Sequence, residues 1–394
     1  MWCKKRHSII VKIVAFFLKP FLKVKYNFKV KKVKCFEEGS IILCNHVTTM
    51  DPFFVGNLFD KPVYYMASKD IFDKPFVGKL IKFLVNPIPK EKGNKGDLQA
   101  IKSCLRVAKE NGNICIFPEG NRTLSGELGN IDISIVKLVK ALKKPLILLN
   151  IEGGYGSDPR WSNKTRKGKL DIKIKKIYQY DEIKDIDNEE LYKIIRENLT
   201  VNEFNSNVNF KGDNRANYLE RVLYICPVCK KLHTIYTDSN FIYCKECGLK
   251  ILYSEDLSLQ TDNELFKFKY INEWYHYQLD WVKKQEFKED ELIYQDSIEV
   301  WEPQLHKKKL LIGKGKIYMY GSYFKFELDN NSFEFKFDEI DGITLVGKKK
   351  ANIYVNKKTY QLFKDDKLNL LKYMHMFYNI KNKKEGNNND FFGL

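Results

Sequence analysis

Strand-like and helix-like segments alternate between residues 30 and 150, and this order restricts the fold of the chain more than any other feature. The apolar segments have the length of buried strands, and the segments between them carry apolar residues at helical spacing. Because alternating strands and helices form a sheet covered by helices, we predict an α/β domain over residues 29–205. Its predicted strands are residues 40–44, 63–66, 113–117 and 145–151, and its predicted helices are residues 51–59, 96–111 and 188–204.

The pattern changes after residue 205, and 394 residues are too many for one ordinary core. A polar linker leads to two cysteine pairs, and repeated strands follow before a final helix over residues 368–380. The predicted strands are residues 316–320, 323–327, 333–337, 343–346, 351–355 and 359–363. We therefore predict five parts: an N-terminal helix (1–28), the α/β domain, a cysteine-bearing module (206–256), a β-rich domain (257–380) and a disordered tail (381–394).

The N-terminal apolar segment, residues 8–24, is the candidate for membrane contact. Lys12, Lys19 and Lys23 are spaced seven and four residues apart, which places them on one side of a helix. A charged row opposite a wide apolar surface favours a helix that lies in the membrane interface over one that crosses the bilayer. No small-residue cleavage site of a signal peptide follows the segment. The alternative is a helix that packs on the protein's own core.

Charge and cysteine content bear on the partners and the compartment. A net charge of +18 and a pI near 9.2 suit a polyanionic partner, namely nucleic acid, an anionic membrane or an acidic carrier. A coding bias towards lysine would raise the charge as well. Nine cysteines are present, and the odd total favours a reducing compartment. Five scattered cysteines are predicted to be reduced core thiols: Cys3, Cys35, Cys44, Cys104 and Cys115.

Residues 45–52 read Asn-His-Val-Thr-Thr-Met-Asp-Pro and place His46 five residues before Asp51. Imidazole can remove a proton from an alcohol near neutral pH. A carboxylate on its far nitrogen would fix the tautomer and stabilise the imidazolium. On a continuous helix the two side chains would point in different directions, so the pair requires a turn between a strand and a helix. The alternative is that Asp51 only caps the helix that begins at Pro52.

Residues 117–123 read Phe-Pro-Glu-Gly-Asn-Arg-Thr and follow an apolar strand. Pro118 ends the strand, and Gly120 permits a turn close to a ligand. Arg122 can hold a phosphate through two hydrogen bonds, and Glu119 can orient the arginine or contact glycerol oxygens. Alone, such a turn is more often an ordinary surface loop.

Taken together, residues 40–155 resemble the glycerolipid acyltransferases, the family of lysophosphatidate acyltransferases. Residues 45–52 match its first motif, residues 117–123 its third and the apolar residues 144–149 its fourth. Residues 86–91 lie where the family has its second motif, with Lys90 in place of the usual arginine, so the charge is kept and the planar fork is lost.

The resemblance implies transfer of a fatty acyl group from acyl-CoA or acyl-carrier protein to the free hydroxyl of lysophosphatidate, giving phosphatidate for phospholipid biosynthesis. It implies His46 as the base and Asp51 as its partner. Substrate-binding residues would be Lys90, Glu119, Gly120 and Arg122. The expected partners are membrane phospholipids, a lysophospholipid acceptor and the acyl donor carrier. The expected location is the cytoplasmic face of a membrane, in peripheral or monotopic attachment.

Two departures from the family pattern concern the acceptor headgroup. Residues 130–134 lack the Lys-Gly pair that commonly opens a helix in the family, and Asn121 replaces the usual threonine. Another lysophospholipid or a glycolipid is therefore an alternative acceptor. A second alternative is a catalytically silent membrane scaffold that binds partners through the C-terminal half.

Two Cys-x-x-Cys pairs are separated by 14 residues, and their four thiolates predict a tetrahedral structural Zn(II) site in a zinc ribbon. The predicted ligands are Cys226, Cys229, Cys244 and Cys247; His233, between the pairs, is not expected to bind the metal. A redox dithiol is the less suitable alternative. Nucleic acid is disfavoured as a partner because acidic residues accompany the lysines of the ribbon. The lysines are Lys230, Lys231, Lys245 and Lys250, and the acidic residues are Asp238, Glu246, Glu255 and Asp256.

The final strands and closing helix resemble, at the level of pattern, a PH/GRAM-like barrel. Such a domain could bind lipid headgroups through its lysines, or those lysines could form a solvated face. The candidates are Lys307, Lys308, Lys309, Lys314 and Lys348 to Lys350. Phe333, Phe335 and Phe337 alternate along one strand and are predicted to belong to the core.

Overall fold

The computed structural model describes residues 1–68, 75–90, 98–205, 208–304, 308–365, 367–386 and 391–393. The chain divides into two compact units. The N-terminal unit comprises residues 1–159 and 166–211, and the C-terminal unit comprises residues 160–165 and 212–394. Parts of the predictions lie outside the described residues: Glu91, the start of the helix predicted at 96, Lys307, and residues 387–390 and 394 of the predicted tail.

The N-terminal unit has alternating strands and helices, as predicted. Its strands are β1 (Ile41–Cys44), β2 (Val63–Ser68), β3 (Ile88–Lys90), β4 (Asn113–Ile116), β5 (Leu146–Glu152) and β6 (Asp171–Tyr178). Its helices are α1 (Lys5–Tyr26), α2 (Asp51–Leu58), α3 (Pro75–Leu84), α4 (Leu98–Lys109), α5 (Ser134–Leu142), α6 (Gly154–Ser157), α7 (Tyr180–Ile183) and α8 (Asn188–Leu199).

The six strands form one sheet in the order β3-β2-β4-β1-β5-β6. The first five strands are parallel, and β6 runs antiparallel to β5 at the edge. The four predicted strands are β1, β2, β4 and β5, and the two further strands lie at the edges of the sheet. Since β3 has three residues and contains a proline, and β6 alternates isoleucine with lysine, neither has the apolar composition of a central strand.

Helices cover both faces of this sheet, and the alternation of side chains along β1 shows why. Ile41 and Leu43 belong to a core shared with α4, α5 and α8, whereas Ile42 and Cys44 belong to a core shared with α1 and α2. Successive strand residues point to opposite faces, so a strand of four apolar residues is buried on both sides. The predicted α/β architecture is therefore present as three layers.

The N-terminal helix α1 is attached near its two ends and exposed in its middle. His7, Leu22 and Tyr26 are buried, whereas Phe16 and Phe17 are 74% and 72% exposed. The exposed apolar residues recur at helical spacing along one stripe, which comprises Ile9, Ile13, Phe16, Phe17, Phe21 and Val24. Helix α1 thus packs on the core of its own unit through Leu22 and Tyr26 and exposes an apolar stripe along its middle. Among the helices within the described ranges, none is both long and apolar enough to cross a membrane.

The C-terminal unit contains two antiparallel sheets and two helices. The smaller sheet has the order β10-β9-β8-β7 and the larger has the order β14-β13-β12-β11-β17-β16-β15. The strands are β7 (Ile235–Asp238), β8 (Phe241–Cys244), β9 (Lys250–Tyr253), β10 (Leu259–Gln260), β11 (Leu292–Glu302), β12 (Leu310–Tyr320), β13 (Tyr323–Leu328), β14 (Asn331–Lys336), β15 (Ile340–Val346), β16 (Lys350–Val355) and β17 (Lys358–Phe363). The helices are α9 (Ile271–Lys283) and α10 (Leu371–Lys384).

All six strands predicted in this half are found in the larger sheet, as β12 to β17. The seventh, β11, was not predicted; it pairs with β12 on one side and β17 on the other and so joins the two halves of the sheet. Phe335 and Phe337 are buried and Phe333 is half-buried. Helix α10 continues four residues into the segment predicted as a tail.

Several of the candidate headgroup-binding lysines have protein partners. The Nζ atom of Lys314 lies 2.9 Å from Glu299 Oε1, and Lys348 donates to the carbonyl oxygen of Ser162. Lys309 donates to the side-chain oxygen of Gln361. Lys349 and Lys350 place their ammonium groups 5.1 and 5.6 Å from the ring centre of Phe363. These contacts hold the five lysines against other groups of the C-terminal unit.

Candidate functional site

The two sequence motifs meet at the carboxyl edge of the parallel sheet. Strands β4, β1 and β5 are neighbours, and each continues at this edge into a loop. His46 follows β1, residues 117–123 follow β4, and residues 153–157 follow β5. The carboxyl edge of a parallel sheet is where ligands bind in open α/β folds. The fold thus brings three segments together that are separated by up to about 110 positions in the sequence.

His46 and Asp51 are in direct contact. The Nδ1 atom of His46 lies 2.7 Å from Asp51 Oδ2, and the turn of residues 47–50 separates them, as the spacing required. The Asp51 side chain is fully buried, while that of His46 is 21% exposed. With Nδ1 on the carboxylate, the imidazole directs its second nitrogen, Nε2, away from Asp51, where it can exchange a proton with a substrate.

The backbone and a hydroxyl group fix the carboxylate of Asp51. Oδ2 accepts the N–H of Val47 at 2.7 Å, and the N–H of Thr48 lies 3.0 Å from both oxygens. The Thr48 hydroxyl donates to Oδ1 at 2.8 Å. Asp51 is the first residue of α2, and its carboxylate accepts from the residues before the helix. An N-cap would accept from residues inside the helix, so helix capping does not account for Asp51.

The aromatic ring of Phe117 packs on the imidazole ring of His46. The two rings stack with their centres 4.5 Å apart and their planes at 22°. Phe117 is the residue that follows β4, next to β1 in the sheet, and this pairing places the ring beside the imidazole. The imidazole is therefore held both by a hydrogen bond at Nδ1 and by an aromatic face.

Glu119 joins the two motifs through the backbone. Its Oε1 accepts the N–H of His46 at 2.6 Å, and its Oε2 accepts the N–H of Gly129 at 2.7 Å. Burial raises the pKa of this carboxyl group to about 8, although the two backbone donors act in the opposite direction. The N–H of Thr123 also donates to the carbonyl oxygen of His46 at 3.0 Å. The turn after β4 is thus connected to His46 by two separate hydrogen bonds.

Arg122 and Gly120 differ in their surroundings. Arg122 is 9% exposed, and burial lowers the pKa of its guanidinium, while the negative charges of Asp158 and Asp51 oppose that shift. Gly120 has a φ of +67°, a left-handed conformation that favours glycine, and it is exposed. The predicted turn is present, with its arginine directed into the protein and its glycine outward.

Lys90 ends β3 at the same edge of the sheet but farther from His46. Three strand spacings separate β3 from β1, which amounts to roughly 14 Å at the usual distance between strands. Lys90 is exposed, and its charge helps to lower the pKa of Asp132, whose main stabilisation comes from hydrogen bonds with Ser134. Of the predicted site residues, Lys90 therefore lies at the periphery.

Other residues of this site had no separate role in the sequence-based prediction. Asn45 bonds to both backbone groups of Ile151, with its Oδ1 2.7 Å from the N–H and its Nδ2 3.0 Å from the carbonyl oxygen. Thr48 and Phe117 hold Asp51 and His46, as described above. All three were inside the motifs. The partners of Asn45 and Phe117 depend on strand order, which a local pattern does not contain, whereas Thr48 bonds to Asp51 only three residues away.

The four paired cysteines converge in the C-terminal unit. Their sulfur atoms all lie within 4.8 Å of one another, and the contacts Cys226–Cys247 and Cys229–Cys244 measure 3.7 Å. Four thiolates at Zn–S distances of 2.3 Å would be separated by about 3.8 Å in a tetrahedron, so the donor set and its size fit Zn(II). The side chain of His233 instead contacts Lys372, with Nδ1 2.8 Å from Nζ.

Comparison with known proteins finds similarity over the part of the chain that contains the motifs. Residues 23–151 match the sequence model of the family described as Acyltransferase. A 1-acyl-sn-glycerol-3-phosphate acyltransferase of Cocos nucifera is 27% identical over 136 residues, which cover 34% of this chain and 44% of that protein. A protein of the same name from Helicobacter pylori is 25% identical over 141 residues, which cover 34% of this chain and 60% of that protein. The chain spans about half the length of these curated relatives.

A solved structure also resembles part of the chain. The crystal structure of a 1-acyl-sn-glycerophosphate acyltransferase from Thermotoga maritima aligns with a TM-score of 0.40 and 17% identity. The alignment covers 49% of this chain and 79% of that protein.

Proposed function

Residues 23–151 match the Acyltransferase family model, and on this premise we propose that the chain transfers a fatty acyl group from a thioester donor to the hydroxyl of a lysophospholipid. The observation that carries the proposal is the 2.7 Å contact between His46 and a buried Asp51 at the ligand-binding edge of the sheet. The preferred acceptor is lysophosphatidate, and the donor is acyl-CoA or acyl-carrier protein.

In the proposed reaction His46 acts as general base and then as general acid. Its Nε2 takes the proton of the acceptor hydroxyl while the hydroxyl oxygen attacks the thioester carbonyl carbon. The tetrahedral intermediate collapses, the carbon–sulfur bond breaks, and the thiolate takes the proton back from His46. Asp51 stabilises the imidazolium, and its four contacts with Val47 and Thr48 keep its geometry fixed during the cycle.

The acceptor phosphate requires a cationic site, for which we propose Arg122 and, at the periphery, Lys90. Gly120 leaves open space at the turn for the approach of a ligand. Because Arg122 lies under the influence of Asp158, a phosphate would compete with that carboxylate for the guanidinium. Glu119, whose oxygens hold the backbone of His46 and Gly129, is proposed to shape the site.

Acyl transfer by the purified full-length chain tests this proposal. The assay supplies lysophosphatidate, other lysophospholipids or a glycolipid in anionic vesicles, with either acyl-CoA or acyl-carrier protein as donor. We expect the highest kcat/KM with lysophosphatidate. Faster transfer to another acceptor would reassign the headgroup, and no transfer with any donor–acceptor pair would favour a catalytically silent scaffold.

We also propose that α1 attaches the protein to the cytoplasmic face of a membrane. Its exposed stripe includes two adjacent phenylalanines. The row formed by Lys12, Lys19 and Lys23, which the sequence pattern placed opposite the apolar surface, lies beside this exposed stripe at about 100° per residue. Apolar and cationic groups can therefore face an anionic bilayer together.

The double substitution Phe16→Ser and Phe17→Ser is expected to weaken binding to anionic vesicles about tenfold or more, because both rings lose apolar contact with lipid. Vesicle co-sedimentation of the full chain measures this. Leu265→Ser is the matched control, since Leu265 is 70% exposed in the C-terminal unit. Equal weakening by the control variant, or unchanged binding of the double variant, would contradict the role of α1.

For the C-terminal unit we infer a structural Zn(II) ion at the four cysteines and a PH/GRAM-like fold for the larger sheet. The second inference is supported by seven antiparallel strands in which the first pairs with the last, followed by a helix. An experimental structure in which β11 and β17 do not pair would overturn it.

A further inference from the structure

We propose that Glu203 is a positioning residue for the candidate site, acting through the loop of residues 153–157. This inference rests on the proposed acyl-transfer function. Glu203 lies beyond residues 23–151, the part of the chain that matches the family. Glu203 would therefore contribute to the site from a part of the chain that the family model does not cover.

The side chain of Glu203 is buried and directed at the backbone of this loop. It is 3% exposed, and its Oε2 accepts the N–H of Gly153 at 2.9 Å. Its Oε1 lies 3.4 Å from the N–H of Tyr155. Burial raises the pKa of the carboxyl group to about 8. A carboxyl group this deeply buried is costly unless it is hydrogen-bonded, and here the loop supplies the bonds.

The backbone of the loop could not take this path without its glycine. Gly153 has a φ of +76°, and a Cβ atom there would lie 2.1 Å from the carbonyl oxygen of Lys169. The backbone of the loop therefore lies between Lys169, which precedes β6, and the carboxyl group of Glu203. The hydrogen bonds to Glu203 therefore restrict the backbone conformation of residues 153–157.

From this fixed position the loop supports the first motif. A Cβ atom at Gly154 would lie 3.0 Å from Val47 Cγ1, so the loop backbone is in close contact with Val47. The N–H of Val47 donates to Asp51 Oδ2, the same oxygen that binds His46. A shift of the loop would therefore change the space that holds Val47 and, with it, the hydrogen bond that orients Asp51.

The loop supports the third motif as well. Tyr155 is fully buried, and its hydroxyl donates to the carbonyl oxygen of Leu124 at 3.3 Å, two residues after Arg122. A Cβ atom at Gly126 would lie 2.9 Å from the ring of Tyr155. Through Gly154 on one side and Tyr155 on the other, Glu203 is connected to both motifs.

The test compares Glu203→Gln with Glu197→Gln in the full chain. Glutamine has the size of glutamate but presents an NH2 group to one of the two backbone donors. Glu197 is its matched control, since it lies on α8 with its side chain 62% exposed. We expect Glu203→Gln to lower kcat about 10- to 100-fold with little change in KM, because small displacements of catalytic groups lower the rate of the chemical step. Glu197→Gln should behave as the unsubstituted protein.

A second measurement does not depend on turnover. The chain has six histidines, so NMR can follow the titration of the His46 ring, assigned by its loss in His46→Ala. We expect Glu203→Gln to shift its midpoint and Glu197→Gln not to. An unshifted midpoint, or an unchanged kcat in a protein that does transfer acyl groups, would overturn the role of Glu203. A shifted midpoint in a protein without transfer would uphold the positioning link and remove only the proposed reaction.

Discussion

Replacing His46 with alanine is expected to reduce acyl transfer by about 10²- to 10⁴-fold, the usual contribution of a positioned general base. The fold should survive, because the side chain is partly exposed and the backbone N–H that binds Glu119 remains. The measurements are kcat/KM with lysophosphatidate and the thermal unfolding temperature.

Two further variants make this prediction specific. Asp51→Asn keeps the size of the side chain but replaces an acceptor oxygen with a donor, so it should lose most of the activity as well. His276→Ala, at an exposed position of the C-terminal unit, should keep full activity. Turnover by His46→Ala within a few-fold of the unsubstituted protein would reject the proposed mechanism.

Replacing Cys244 with serine is expected to have the largest effect on stability. Structural zinc in small modules contributes about 10–16 kcal/mol of apparent binding free energy, and that free energy also stabilises the fold. We expect the purified protein to contain about one zinc per chain. The variant should contain little zinc, and the C-terminal unit should unfold at a temperature at least about 10 °C lower.

Metal analysis and calorimetry of the same samples measure this effect. Cys3→Ser is the control, because Cys3 lies in the N-terminal unit and outside the four-cysteine cluster. It should leave the zinc content unchanged. A protein that binds no zinc with all four cysteines reduced, or a Cys244→Ser variant with unaltered unfolding, would refute the structural zinc site.

The sequence was sufficient to predict the elements whose residues are buried on both sides. β1 consists wholly of apolar residues and β4 and β5 mostly of them, so their composition identifies them as central strands. The edge strands β3 and β6 depend on pairing with their neighbours. Such pairing is a tertiary property, and it is absent from the local pattern of a short or lysine-rich segment.

The candidate site shows the same division between local and long-range information. The contact between His46 and Asp51 spans five residues, and the need for a turn between them follows from helix geometry. The hydrogen bonds that Glu119 accepts from His46 and that Glu203 accepts from Gly153 span 73 and 50 residues. Their partners are backbone groups, which have no sequence signature, so these two roles required the folded structure.

The assignment of residues 160–165 to the C-terminal unit has a consequence for synthesis on the ribosome. Trp161 is fully buried; its carbonyl oxygen accepts from Arg221 at 2.6 Å, and Arg160 donates to the carbonyl oxygen of Leu345 at 3.0 Å. At about 5–20 residues per second, the 185 residues from Arg160 to Leu345 take roughly 10–40 s to emerge. During that interval the guanidinium of Arg160 lacks the carbonyl oxygen of Leu345, so residues 160–165 complete their contacts only well after the preceding strands have been made.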